Sequence, residues 1–175
     1  APNWFIENQD GSKNPHDEID DPFRSAEVLQ AHVDEGLKYA RKNRLPKPIA
    51  NFIPEHQGTL KMGYFFQKAK EKNLKINEND FRYRGPVPQS KETAILMLAD
   101  GCEAALRAMN INASDNEALE TISRIIYSRH KDGQLDDSNL SKGEIFLIKR
   151  AFLNVWKRIR HRRIQYPISK NNTFS

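Results

Sequence analysis

The chain has 175 residues, 38% of them hydrophobic and 29% charged, with a formal net charge of +5. That profile excludes a disordered chain and gives enough apolar side chain for one domain over residues 1–175. A lone cysteine, Cys102, excludes an internal disulfide and fits a reducing compartment. No apolar run reaches the roughly 18 to 20 residues that cross a bilayer and Ala1 opens no signal or transit peptide, so the chain reads as soluble.

Residues 1–23 are rich in Asn, Asp, Gly and Pro with weak apolar periodicity, which predicts an irregular entry. This end is acidic: residues 1–35 hold Glu7, Asp10, Asp17, Glu18, Asp20, Asp21, Glu27, Asp34 and Glu35 against Lys13 and Arg24. Ser25 is a candidate N-cap for a helix whose inward face carries Val28, Leu29, His32, Val33, Gly36, Leu37 and Ala40. Gly36 removes bulk one turn after His32, as a crowded site or a close helix contact requires. Pro46 and Pro48 open a second, short helix that Gly58 closes, with His56 at its end. A third helix runs from about Leu60 to Lys72.

The connection from Asn73 to Gln89 contains Phe81-Arg82-Tyr83-Arg84-Gly85-Pro86, with more arginine and aromatic residues than a spacer needs. Ser90 caps a fourth helix, to about Asn110, whose apolar residues run nearly all round. Asp100 falls inside that run, where a lone buried carboxylate needs a partner. Cys102 reads as core filler. Ser114 or Asp115 caps a helix ending near Gly133, and Ser141 starts the last one, through Ile145, Ile148, Phe152, Val155, Trp156 and Ile159. Residues 149–163 hold Lys149, Arg150, Lys157, Arg158, Arg160, Arg162 and Arg163 without an acid, and the tail 167–175 reads as frayed. Strand alternations, repeats and low-complexity tracts are absent, so the predicted fold is all-α with about six helices.

No Gly-rich phosphate loop, nucleophile elbow or short-spaced histidine pair occurs. What remains is dispersed: imidazoles at His32 and His56 and a carboxylate at Asp100, a donor mix suited to Mn, Fe or Zn if the three converge. The ordinary alternatives are hydrogen-bonded histidines and a buried ion pair. Arg82, Arg84 and Lys91 have the chemistry of phosphate partners, and Tyr64 and Tyr83 that of base-stacking platforms; surface salt bridges and plain packing are the competing readings.

The segments QAHVDEGLKYA, IPEHQGTLKMGYFFQKA, FRYRGPVPQSKETAILMLADGCEAA and the opening FIENQ with NPHD, in this order and spacing, resemble the seven-transmembrane receptor family with an intracellular HD hydrolase domain. DGQLDDSNLS resembles the family's late helix connection, and the likeness runs from Phe5 to about Tyr166. The resemblance implies an HD-domain-like helical bundle lacking its first helices, in the cytoplasmic part of an integral membrane protein, with cyclic-di-AMP phosphodiesterase activity. It implies His32, His56 and Asp100 as ligands of a divalent transition metal (Mn, Fe or similar), two in the intact parent. Gln57 stands where the family has a second adjacent histidine, so it implies a water or substrate contact there.

The family's first histidine and its His-Asp doublet have no counterpart in this chain. His16-Asp17 does not replace the doublet, because it sits in the Pro- and Asn-rich NPHD segment instead of on a helix. The chain as given is therefore expected to be inactive, with no metal bound or one held weakly, and with its missing helices supplied by the parent or by a second copy in a homo-oligomer. The alternative is a degenerate regulatory module that binds a nucleotide without hydrolysing it. Binding to a nucleic acid polymer through the basic last helix is not expected, since its bases spread around the helix and no recognised nucleic-acid-binding motif accompanies them.

Overall fold

Asp21, four residues before the expected cap, starts the first helix: its carboxylate accepts from the backbone N–H groups of Phe23 (2.9 Å) and Arg24 (3.3 Å). Pro22 at the first helical position has no N–H to satisfy, so helix α1 spans Pro22–Lys42 instead of beginning at Ser25. This computed structural model describes residues 20–72, 75–110 and 112–163, with side chains to 160. The expectations for residues 1–19 and for the tail from Pro167 lie outside the described residues.

The remaining helices are α2 (Lys47–Ala50), α3 (Phe52–Glu55), α4 (Gly63–Glu71), a 3-10 turn at Glu78–Phe81, α5 (Lys91–Arg107), α6 (Asp115–Lys131) and α7 (Lys142–Arg163). The single helix expected from Pro46 onward is two four-residue pieces joined at Asn51. Among the described residues the only β-type pairing is one antiparallel bridge, Lys61 to Arg82. The expected all-α fold of about six helices is thus the one observed, with the second helix split. Among these residues no helix is long and apolar enough to cross a membrane.

The chain divides into two compact units, Ala1–Met97 with Arg129–Leu140, and Leu98–Ser128 with Ser141–Ser175. In the first, Ala26 of α1, Met62, Phe65 and Ala69 of the α4 region and Phe81 of the 3-10 turn form the core. Phe81 has no exposed surface, and its ring meets Phe23 at 4.9 Å and Phe66 at 5.8 Å. Two backbone bonds across the bridge, Met62 N–H to Phe81 O (2.7 Å) and Tyr83 N–H to Leu60 O (3.0 Å), pin the 81–83 segment to the chain just before α4.

The second unit is built on Leu98, Cys102, Ala118, Ile122, Ile126 and Ile148, all buried. Cys102 is 2% exposed, as expected of core filler. Reciprocal capping boxes start both of its later helices. Ser114 Oγ accepts from Glu117 N–H (3.2 Å) while Glu117 accepts from Ser114 N–H (2.6 Å), and Ser141 and Glu144 repeat the arrangement at 3.2 and 2.9 Å. The bonds from Ser114 hold the Glu117 carboxyl below its ordinary range.

Candidate metal centre

His32 lies on the third turn of α1 and His56 is the C-cap of α3. What lets these two elements approach is Gly36, where an added Cβ would stand 2.8 Å from Ile53 Cγ2. Of the two roles open to that glycine, close helix contact is the one observed. The His32 and His56 rings sit 5.8 Å apart, inclined at 69°, and Tyr83 places its ring 6.0 Å from His32 at 83°.

Both imidazoles are oriented by backbone carbonyls. His56 Nδ1 donates to Ile53 O (2.7 Å) and to Phe52 O (3.1 Å), a carbonyl that also accepts the His56 backbone N–H. His32 Nδ1 donates to Leu29 O in the turn before it. A carbonyl accepts only, so each Nδ1 carries a proton, and it is Nε2 that holds the lone pair of the neutral ring. This is the arrangement of a metal-ligating histidine, whose second nitrogen is fixed by an outer partner. Gln57 turns back on its neighbour, its amide nitrogen 3.1 Å from His56 Nε2.

Tyr83 is delivered by an arginine between it and the core. Arg82 uses five N–H donors: Nε and one Nη on Glu78 (3.0 and 2.7 Å), both Nη on Asp132 (3.1 and 3.0 Å), and one on Thr59 O (2.9 Å). A guanidinium has five such donors, so none is left for a phosphate, and Arg82 works as a clamp instead of a substrate contact. The clamp holds the carboxyls of Asp132 and Glu78 below their ordinary range and pushes the guanidinium pKa further up. Arg84 is different: its side chain is 74% exposed, with one ion pair to Asp34 at 3.2 Å. The buried Gln30 amide, with its oxygen toward Arg84, accepts from Arg84 N–H (3.1 Å) and Nε (3.2 Å) and donates to Arg82 O (3.3 Å), fastening this segment to α1.

Two further groups set the His56 loop. Gln134, with no exposed surface, accepts from Thr59 N–H (3.0 Å) and donates to Thr59 Oγ1 (2.8 Å) and Asp132 (3.0 Å). Glu55, 2% exposed, accepts from Gln89 N–H (2.9 Å) and Thr93 Oγ1 (2.6 Å), tying α3 to the start of α5, where Ser90 caps as expected. Sequence reasoning passed over both. The signals were present: an acid in the apolar piece FIPE, and a glutamine among the turn-forming residues of DGQLDD. Glu55→Ala removes the acceptor shared by Gln89 N–H and the buried Thr93 hydroxyl, which keeps only its longer bond to Ser90 O (3.2 Å), so it is expected to cost about 1–2 kcal/mol in chemical denaturation, with Glu55→Gln recovering part of the loss.

The remaining expected site residues are placed as follows. Tyr64, on α4, is 57% exposed, with its ring edge-on to Phe65 at 5.2 Å and Lys68 Nζ at 5.3 Å over it. Lys91 is the exposed first residue of α5. Asp100 is exposed, which corrects the expectation of a buried carboxylate. The α5 helix buries Thr93, Ala94, Met97, Leu98 and Cys102, while Ile95 (37%) and Leu96 (40%) are open, and Asp100 follows Leu96 by one turn on the same side. An apolar run had been read as burial all round. The ligand role of Asp100 therefore rests on resemblance alone, and among the described residues no group of three or more His, Cys, Asp or Glu is placed to hold a metal ion.

No family model matches the chain. A Synechocystis protein described as "Uncharacterized protein slr0104" is 47% identical over 171 residues, covering 95% of this chain and 21% of its own length. The cyclic-di-AMP phosphodiesterase PgpH of Listeria monocytogenes is 37% identical over 170 residues, covering 97% of this chain and 23% of its own. Among solved structures, the L. monocytogenes PgpH HD domain in complex with cyclic-di-AMP matches with a TM-score of 0.85 and 35% identity, over 90% of this chain and 73% of that one.

The chain belongs to the PgpH HD-domain family. A second crystal structure of the L. monocytogenes PgpH HD domain gives a TM-score of 0.84 at 35% identity. The resemblance read from the sequence thus led to the right family, an all-α HD-type hydrolase domain. The chain spans 21% to 23% of the length of the curated relatives it matches. HD-domain phosphodiesterases generally use divalent metals. The described residues fit such a cation in part: two imidazole Nε2 donors on neighbouring elements, each with its Nδ1 on a carbonyl.

Proposed function

We propose that this chain is most of a metal-dependent phosphodiesterase module acting on a cyclic dinucleotide, with cyclic di-AMP as substrate. The observation that carries this reading is the pair His32 and His56, each donating from Nδ1 to a backbone carbonyl and held with ring centres 5.8 Å apart, in a family whose solved member is in complex with cyclic-di-AMP. His32 and His56 would hold a divalent cation, with Asp100 as third ligand. Such a cation supplies Lewis acidity, activating water and neutralising charge on a phosphate.

The other roles belong to the chain itself. Tyr83 offers an aromatic face beside His32, and Arg84 an exposed planar guanidinium one residue on, able to leave Asp34 for a phosphate. Tyr64 and Lys91 are proposed as outer contacts. Arg82 holds Tyr83 in place. By the same reading the module lies on the cytoplasmic side of a membrane protein. Hydrolysis needs a first histidine and a His-Asp doublet that these residues do not include, so the chain by itself is expected to turn over little or no substrate.

The test is Mn²⁺-supported hydrolysis of cyclic di-AMP by protein that includes residues supplying the doublet. Substituting His56→Ala or Asp100→Ala is expected to lower turnover by about 100-fold or more, since even partners behind a ligand cost about 10- to 100-fold. Unchanged turnover in either variant contradicts that residue's assignment. The reading of a module that binds nucleotide without hydrolysing it draws support from Gln57, which occupies His56 Nε2. Binding with no turnover in the same protein would establish it.

A further inference from the structure

We propose that Gln57 is a built-in competitor for the metal-binding lone pair of His56. The inference rests on the reading of His32 and His56 as ligands and adds what governs the affinity of that site. His56 Nδ1 donates to Ile53 O and Phe52 O, which fixes the neutral ring as a donor at Nδ1 and an acceptor at Nε2. The group that meets Nε2 is the Gln57 amide nitrogen, at 3.1 Å. An amide N–H donates and has no lone pair to share with a cation, so this contact and a His56–metal bond exclude each other. A cation entering the site displaces the Gln57 amide first.

The position makes the competition local and inexpensive to reverse. Gln57 follows His56 directly at the end of α3, and both side chains are half-buried. Rotation of the Gln57 side chain releases Nε2 without moving the ring, because the two carbonyls of α3 hold the imidazole from its other side. A residue that supported the ligand would sit on Nδ1, the nitrogen that points away from the metal; Gln57 sits on the other. The loss of one neutral hydrogen bond sets the size of the effect, about two- to tenfold in cation affinity.

The experiment uses protein labelled with ¹⁵N-histidine, followed through the ring nitrogens of His32 and His56. Without metal, His56 is expected as the Nδ1–H tautomer, with its Nε2 resonance shifting in Gln57→Ala and Gln57→Leu. Zn²⁺ titration is then expected to move the His56 Nε2 resonance at about two- to tenfold lower concentration in both variants than in the unaltered protein. An Nε2–H tautomer for His56, an unchanged Zn²⁺ midpoint, or a midpoint raised by both substitutions overturns the proposal, the last by making Gln57 a ligand or a support. If neither His32 nor His56 responds to Zn²⁺ in any of the proteins, the reading of the histidines as ligands fails, and this inference fails with it. Response of both histidines at a midpoint that is the same in the unaltered protein and in both variants sinks the competition alone.

Discussion

Gly58→Ala is expected to destabilise the protein by about 2–4 kcal/mol and to lower its melting temperature by roughly 5 to 15 °C. Two costs add. Gly58 has φ +53°, a left-handed conformation that costs a residue with a Cβ about 1–2 kcal/mol, and the new methyl would stand 2.5 Å from Gln134 Oε1 and 2.6 Å from Met97 Cε. Gln134 has no room to yield without releasing Thr59, since its amide already bonds Thr59 N–H and Oγ1. Gly63→Ala is the matched control, because nothing lies within 4 Å of its position. Thermal unfolding of the two variants decides: equal losses would mean that the turn after His56 is not held as described.

Arg82→Met is expected to cost about 2–3 kcal/mol at neutral pH and to change how stability depends on acid. The substitution removes five donors from Glu78, Asp132 and Thr59 O, and the two carboxylates are only partly shielded, which keeps the loss below that of a fully buried pair. The sign of the pH effect follows from the direction of the shifts. Bonds from Arg82 are the main cause holding both carboxyls below their ordinary range in the folded protein. Their contribution is therefore complete above about pH 4 to 5, where the unfolded groups are ionised, and is lost as pH falls through the lowered folded values. Urea unfolding at pH 7 and at pH 3 is expected to show a larger acid-induced loss in the unaltered protein than in the variant. Parallel losses would remove Arg82 from the account of acid sensitivity.

The helices were legible because their signals are local. Ser90, Ser114 and Ser141 cap where expected, and Gly58 has the positive φ that the end of a helix asks for. Asp21 was missed because Ser25 has the same chemistry and lies closer to the apolar stripe; Pro22 was the signal that decided between them. His32 and His56 were legible as candidates, yet their meeting depends on Gly36 against Ile53, a contact between two helices that periodicity on either one leaves open. Asp100 shows the opposite error. A run of apolar letters was taken as burial on every side, although one stripe of α5 leaves Ile95 and Leu96 in the open beside it. Arg82 looked like a phosphate partner for want of its partners: Glu78 is one turn away in sequence, but Asp132 and Thr59 reach it only through the fold.

The pairing of His32 with His56 as metal ligands bears most directly on everything proposed for this chain. Crystals of the protein equilibrated with millimolar Mn²⁺, with data collected at the manganese absorption edge, test it by the position of the anomalous peak. The account predicts a peak in bonding contact with Nε2 of both histidines, with the Gln57 amide swung away from His56. A Mn²⁺ peak elsewhere with none between His32 and His56, and Gln57 still on His56 Nε2, would contradict it.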